Sequence, residues 1–306
     1  MPVLFASLEQ LFGELLGTVT RQLGHARTEQ SHPSDVLPHA YLPILGGVLS
    51  LIPISDTNPT RRFSFVTLAL IVANVVMFLR EPLARGEPAL TRYFYSEAPV
   101  PCQIADRCPD GVQLGGVGIE IPPRGIGSFM FAVLVSTFLH GGWLHLGGNM
   151  LFLWIFGNNI EDHLGRIKYV LFYLAGGIAA ALAHVAWSLR DLPCTQQDFG
   201  ACVPAVGASG AVAAVMGAYL LLYPRARVNV LVPLFFIFTV VQMSAIAVLV
   251  IWFVYQFFIA AQEAAAGPSG VAWMAHVGGF VFGLVVIFVL GGRPHRRPAV
   301  WQPGRY

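Results

Sequence analysis

Residues 169–189 read YVLFYLAGGIAAALAHVAWSL, a run that contains no Asp, Glu, Lys or Arg. A helix of about 20 apolar residues covers the hydrocarbon core of a bilayer, and similar runs recur along the chain. The whole sequence of 306 residues is 56% hydrophobic and 11% charged, with a mean hydropathy of +0.65. An ordinary soluble domain carries about 25% charged residues. The sequence therefore predicts an all-α polytopic membrane protein.

The apolar runs predict six membrane spans. We place them at residues 63–79, 143–160, 169–189, 207–223, 238–261 and 271–290. Before the fifth span the apolar sequence begins at Val228, and Pro233 predicts a loop that dips into the membrane. Residues 59–292 are thus the predicted membrane domain, preceded by an extension (1–58) and followed by a basic tail (293–306).

The N-terminal extension holds two apolar patterns. Apolar residues at helical spacing over 2–21 predict an amphipathic helix, which either lies on the membrane surface or docks on the protein's own cytoplasmic face. The short run 41–54 contains prolines and glycines, which favour an interfacial or re-entrant segment. The first residues lack the basic and small-residue features of a signal peptide, so we expect the first span to drive insertion.

Basic residues are concentrated on one face of the predicted topology, before span one, between spans two and three, between four and five, and after six. They are Arg61, Arg62, Arg166, Lys168, Arg225, Arg227, Arg293, Arg296 and Arg297. The positive-inside rule makes this face cytoplasmic, with both termini inside. The net charge of +2 and the lack of a basic patch argue against a nucleic-acid partner.

The four cysteines lie in the opposite loops: Cys102 and Cys108 in the first, Cys194 and Cys202 in the third. Disulfides persist on the non-cytoplasmic side of a membrane. Two local bridges, Cys102–Cys108 and Cys194–Cys202, are the simplest of three pairings. A metal site is the alternative, but no CxxC spacing supports it.

Ser209 lies in Gly207-Ala208-Ser209-Gly210, at the non-cytoplasmic end of span four. Small residues are common where membrane helices touch, so a packing motif is one interpretation. His276, near the same end of span six, favours a functional site instead, because an ionisable residue inside a membrane span is costly and points to function. Gly279 and Gly283 let span six approach a neighbour closely. A histidine within reach of a serine hydroxyl is the minimum needed to activate it as a nucleophile.

A third group opens span two: His140, His145 and Asn149. His145 and Asn149 are four residues apart and share a helix face, so both side chains are candidate donors to an oxyanion. Zinc binding is the alternative, but the histidines are five apart and no HExxH glutamate lies between them. For His140 a structural role fits at least as well as a catalytic one. For Asn149 the alternative to an oxyanion donor is an interhelical hydrogen bond.

The combination H-x4-H-x3-N on span two, G-x-S-G on span four and A-H-x-G-G on span six resembles the rhomboid intramembrane serine proteases. The flanking runs Asn58-Pro-Thr-Arg-Arg62 and Gly157-Asn-Asn-Ile-Glu-Asp162 are similar to those of bacterial members. The resemblance covers residues 52–292. It implies a six-helix bundle in a bacterial inner membrane, with the active site opening to the outside.

The resemblance also implies roles for individual residues. Ser209 and His276 form a catalytic dyad, and His145, Asn149 and the Ser209 amide form the oxyanion site. Span five acts as a gate for a substrate helix, with Trp252, Phe253 and Gln256 on or near it, and His140 as a support. The implied substrates are single-span membrane proteins within the lipid bilayer, and no cofactor or metal is expected.

Two features depart from the family pattern. A Trp-Arg pair common in the first loop is missing, and Ala213 occupies the position of an aromatic that stacks on the catalytic histidine. What orients His276 is thus left open. Two other functions stay in view: a non-proteolytic rhomboid-like protein that binds membrane clients, and a small-solute transporter, although the two halves show no repeat.

Overall fold

The computed structural model describes residues 52–109, 112–114, 117–191, 200–234, 237–266 and 272–292. Most of them are helical. The helices are α1 (Phe65–Arg80), α2 (Glu87–Glu97), α3 (Ile126–Ser136), α4 (Trp143–Leu164), α5 (Arg166–Ser188), α6 (Ser209–Leu222), α7 (Ala245–Ala266) and α8 (Trp273–Val289). The strands are β1 (Ile52–Asp56), β2 (Val112–Leu114), β3 (Val117–Ile119), β4 (Arg227–Leu234) and β5 (Ile237–Ser244). The predicted amphipathic helix at 2–21 and the basic tail lie outside the described residues.

Length and composition make two of the described helical segments candidates for crossing a bilayer, Phe65–Arg85 and Arg166–Ser188. Four further segments are apolar but shorter: Ile126–Ser136, Ser209–Leu222, Ala245–Gln256 and Trp273–Val289. Helix α4 has 22 residues and carries polar side chains along its length, among them His145, Asn149 and Glu161.

Helix α6 is the centre of the bundle. Nearly all its residues are buried, as expected for a helix that is apolar on every side. Helix α8 lies directly against it, because Gly279 and Gly283 have no side chain to hold the two backbones apart. A Cβ atom on Gly279 would collide with the Gly210 carbonyl, and one on Gly283 with the Ala214 carbonyl.

A buried carboxylate fixes the start of α1. Glu161 of α4 accepts hydrogen bonds from the Val66 N–H (3.0 Å), the Thr67 N–H (2.7 Å) and the Thr67 hydroxyl (2.8 Å). The first N–H groups of a helix have no intrahelical acceptor, and negative charge is favourable at that end. Glu161 therefore satisfies two of these donors and ties α1 to α4.

The same end of the bundle carries a three-stranded sheet in the order β1-β4-β5. Asp56 of β1 anchors it to the helices, accepting hydrogen bonds from Tyr219 (2.6 Å) and Asn159 (2.8 Å). Burial raises the pKa of the Asp56 carboxyl, although both hydrogen bonds act in the opposite direction. The predicted interfacial run 41–54 thus ends in a strand, and its residues before Ile52 lie outside the described part.

The placement of span five at 238–261 was wrong at its start. Residues 237–244 form β5, which pairs antiparallel with β4 from Arg227↔Ser244 to Leu234↔Ile237, and α7 begins at Ala245. Pro233 lies within β4 rather than in a loop. The β-branched residues of 228–241 favour strands as well as membrane helices, so apolar composition alone did not separate the two. Phe238, 68% exposed, and Val240 keep the hairpin apolar on its surface.

The long first loop packs around a buried cluster that also contains Cys202 of the third loop. The other members of the cluster are Tyr95, Val100, Cys102, Val112, Ile119 and Ile121. Cys102 and Cys108 are disulfide-bonded, which confirms that predicted pair. Cys202 is also disulfide-bonded, and its predicted partner Cys194 lies outside the described residues.

We expect Gly283→Ala to destabilise the protein by about 1–3 kcal/mol, because the added methyl meets the α6 backbone, which yields less easily than a side chain. The matched control is Gly147→Ala on α4, where a Cβ meets nothing within 4 Å. There the change should be neutral or slightly stabilising, since alanine is the better helix former. Unfolding midpoints in detergent measure both. Equal midpoints would contradict the close contact of α6 and α8.

Candidate active site

The contact between α6 and α8 brings Ser209 and His276 together. Ser209 is the first residue of α6 and neighbours Gly210, while His276 lies one turn before Gly279 on α8. The His276 Nε2 atom is 2.7 Å from the Ser209 hydroxyl oxygen, within hydrogen-bond distance. His276 is 8% exposed.

Gly207 leaves space beside this pair. Its φ of +136° is a conformation that L side chains rarely adopt, and its N–H donates to the Ser136 carbonyl at 3.0 Å. A Cβ at this position would lie 3.0 Å from His145 Nε2 and 3.2 Å from the Ser209 hydroxyl. The side chains of His145 and Ser209 thus border the same small space.

A cavity of about 380 Å³ contains this space. Its lining includes Ser209, His276, His145, Asn149, Trp252 and Gln256. Six of the residues singled out in the sequence therefore meet in one cavity, contributed by α4, α6, α7 and α8. Asn149 is buried, and its amide nitrogen has no hydrogen-bond partner among the described residues.

The two cavity histidines have different hydrogen-bond partners at their Nδ1 atoms. The Gly141 N–H donates to His145 Nδ1 at 3.3 Å, so a neutral His145 carries its proton on Nε2, the atom beside Gly207. On the other side, His276 Nδ1 lies 2.5 Å from the Gln256 side-chain oxygen. An amide oxygen only accepts, so this contact is compatible with a neutral His276 that carries its proton on Nδ1 and presents a bare Nε2 to Ser209.

Two residues of α7 support the His276 ring. Trp252 and Gln256 are one helical turn apart, and the Trp252 and His276 ring centroids are 5.6 Å apart. Ala213, which is fully buried, contributes no ring there. Phe253 points elsewhere and packs against Phe280, with ring centroids 5.1 Å apart.

His140 is buried beside this cavity and does not line it. Its backbone N–H donates to Glu81 at 2.8 Å, and its ring lies 5.2 Å from that of His145 and 6.4 Å from that of Phe78. These contacts place His140 between the end of α1 and His145.

The first loop holds the segment that leads into α6. The Tyr95 hydroxyl donates to the Cys202 carbonyl at 2.7 Å, and the Ala205 N–H donates to the Pro99 carbonyl at 2.9 Å. The disulfide-bonded loop thus fixes the chain just before Gly207 and Ser209, and Cys102, Cys108 and Cys202 are not among the residues that line the cavity.

Sequence reasoning missed three parts of the site. The left-handed conformation of Gly207 and the contact of Glu81 with His140 depend on tertiary structure and leave no local pattern. Gln256 was assigned to the gate, although an amide one turn from an aromatic in an apolar helix is a signal for a buried hydrogen bond.

Residues 128–293, more than half of the chain, match the family model described as Rhomboid domain. The chain belongs to the rhomboid family, which has a polytopic membrane fold and includes serine intramembrane proteases acting on membrane proteins within the bilayer.

Three similar proteins illustrate the relationship. Rhomboid protein 1, mitochondrial, of Saccharomyces cerevisiae is 30% identical over 160 residues, 50% of this chain and 40% of the relative. Rhomboid-like protein 11, chloroplastic, of Arabidopsis thaliana is 30% identical over 180 residues, 54% of each chain. The presenilin-associated rhomboid-like protein, mitochondrial, of Homo sapiens is 26% identical over 159 residues, 50% of this chain and 36% of the relative. The chain thus spans about half or less of the relatives it matches.

Proposed function

We propose that this protein is an intramembrane serine endopeptidase that cleaves transmembrane segments of membrane proteins with Ser209 and His276. The observation that carries the proposal is the 2.7 Å contact between His276 Nε2 and the Ser209 hydroxyl, inside a cavity. A serine is a weak nucleophile until an adjacent base takes its proton, and this contact supplies the base.

The first chemical step is attack of Ser209 on a peptide carbonyl. His276 Nε2 takes the hydroxyl proton as the Oγ–C bond forms, and the carbonyl oxygen gains a negative charge. His145 Nε2–H, the Asn149 amide and the Ser209 N–H are the donors for that charge. The unpartnered Asn149 nitrogen supports this role, because a buried donor without an acceptor is costly to maintain.

His276 then returns the proton to the leaving nitrogen, the C–N bond breaks, and an acyl-enzyme is left on Ser209. Water attacks this ester with His276 again as base, which releases the second product and restores the hydroxyl. These steps use only groups in the cavity, and none needs a carboxylate or a cofactor.

We assign six membrane spans to α1, α4, α5, α6, α7 and α8. Helix α6 has 14 residues and is about 21 Å long, shorter than the roughly 30 Å hydrocarbon core. If one end of α6 is near one membrane surface, Ser209 at the other end lies below the opposite surface. The scissile bond would then be cut inside the membrane.

Helix α7 is the proposed gate for a single-span substrate. Ile246, Val250 and Val254 are exposed along one side of it, while Trp252 and Gln256 line the cavity on another. A single helix thus separates the cavity from the lipid-facing surface. Displacing α7, with Trp252 and Phe253, would admit a substrate helix laterally.

We propose the orientation that the basic residues indicate, with both termini on the cytoplasmic side and the cavity opening on the other. Arg61 and Arg62 precede α1, and Arg225 and Arg227 precede the β-hairpin. The proposal of a bacterial inner membrane rests on the sequence motifs alone; the named relatives are mitochondrial or chloroplast proteins and do not support that assignment.

The decisive assay compares wild type, Ser209→Ala and His276→Ala on a single-span substrate in detergent or liposomes. We expect cleavage by the wild type and a loss of at least about 10³-fold in either variant, as for removal of a nucleophile or its base. Equal cleavage by all three would exclude the dyad. No cleavage by the wild type across a broad panel, with clients still bound, would favour the non-proteolytic alternative.

Asn149→Ala should lower kcat by about 10²- to 10³-fold with little change in KM, because the lost donor acts mainly on transition-state charge. Asn158→Ala, on the same helix near its other end, is the matched control and should retain the wild-type kcat. A rise in KM at constant kcat would instead assign Asn149 to substrate binding.

A thiol test checks the orientation. The described cysteines are all disulfide-bonded, so an introduced cysteine is the reactive one. A membrane-impermeant maleimide applied from the non-cytoplasmic side should label Glu120→Cys and leave Arg62→Cys unlabelled until the membrane is permeabilised. The reverse pattern would invert the topology.

A further inference from the structure

We infer that Gln256 is a positioning residue for His276: its side-chain oxygen holds the imidazole proton on Nδ1 and thereby leaves Nε2 free to take the proton of Ser209. The inference rests on the proposed function and adds a third member to the serine–histidine pair. It also answers what orients His276 where Ala213 provides no stacking ring.

The geometry consists of one chain of contacts. The Gln256 oxygen lies 2.5 Å from His276 Nδ1, and His276 Nε2 lies 2.7 Å from the Ser209 hydroxyl. Gln256 is 4% exposed and His276 8%, so bulk water competes little for either ring nitrogen. Each ring nitrogen therefore has one protein partner.

The proton position follows from these partners. A neutral imidazole has one N–H and one bare nitrogen, and the state in which Nε2 is bare is the one that can act as a base on Ser209. The opposite tautomer would donate from Nε2 to the serine oxygen and could not accept its proton. An acceptor at Nδ1 favours the productive state, the role that a carboxylate fills in serine proteases with a triad.

A neutral amide fits this environment better than a carboxylate does. An unpaired acid inside a membrane protein is costly, and none of the described Asp or Glu side chains makes a hydrogen bond to His276. When His276 becomes positively charged during attack, its Nδ1–H continues to donate to the Gln256 oxygen. The amide thus orients the base in both charge states without adding a buried charge.

Trp252 limits the remaining freedom of the ring. It lies on the same face of α7 as Gln256, and its ring is tilted by 52° against that of His276 at 5.6 Å. The hydrogen bond to Gln256 limits rotation of the His276 imidazole. The Trp252 indole blocks movement of the imidazole towards it. Both constraints come from α7, the helix proposed as the gate.

The test compares Gln256→Met, which keeps the length and removes the acceptor, with Gln256→Glu, which keeps an acceptor. We expect Gln256→Met to lower kcat roughly 10- to 100-fold, the rate change that corresponds to the free energy of one hydrogen bond to a charged group. KM should stay within about twofold of the wild-type value. Gln256→Glu should recover most of that loss. Gln242→Met, the same substitution at an exposed position of β5, should behave as wild type.

A second measurement locates the proton of His276 in the protein with Gln256 unchanged. Nitrogen-15 NMR of histidine-labelled protein, with His276→Ala to assign the signal, should show His276 protonated on Nδ1 and bare on Nε2. Protonation on Nε2 would mean that the amide is turned the other way, and it would overturn the inference. So would an unchanged kcat in Gln256→Met.

These outcomes are separable from failure of the proposed function. If Ser209→Ala abolishes cleavage and Gln256→Met does not reduce it, only the positioning role is wrong. If the wild type cleaves no substrate, the NMR measurement still decides whether Gln256 sets the His276 proton.

Discussion

The close contact between the backbones of α6 and α8 is the constraint on which the site depends. Gly279 lies on the Gly210 carbonyl, one residue from Ser209 and one turn from His276. The dyad hydrogen bond is therefore an extension of a helix–helix contact that no side chain separates. In a membrane, where lipid is as apolar as leucine, such close packing of small residues is a main source of helix association. The relative position of Ser209 and His276 therefore depends on the packing of α6 against α8.

The two histidines of the cavity have different partners at Nδ1: the Gly141 N–H at His145 and the Gln256 oxygen at His276. We propose that the two neutral rings therefore carry their protons on opposite nitrogens, with His145 a donor at Nε2 and His276 an acceptor at Nε2. The same side chain can thus serve as oxyanion donor or as base, depending on its neighbour. Gln256 lies on α7, so the helix that we propose as the gate also contacts the proposed base. On that proposal, displacement of α7 to admit a substrate would release this hydrogen bond, and catalysis would require α7 to return.

Much of this arrangement was predictable from the sequence, because charge, apolar length and motif spacing are local properties. The positions of Ser209, His276, His145 and Asn149 in one cavity followed from their common depth, and helices α1, α4, α5, α6 and α8 begin and end within about five residues of their predicted spans. The β-hairpin did not follow, since valine-rich apolar sequence suits both a strand and a membrane helix. The partners of His276 and the conformation of Gly207 are tertiary properties, which spacing along the chain does not encode.

In the proposed mechanism, Ser209 is a nucleophile that His276 activates. Labelling of the detergent-solubilised protein with a fluorophosphonate probe, followed by mass-spectrometric location of the adduct, tests this directly. We expect a single adduct on Ser209 that is lost in His276→Ala, although the serine itself is still present there. Labelling of Ser209 at an undiminished rate in His276→Ala, or an adduct on another serine only, would contradict it.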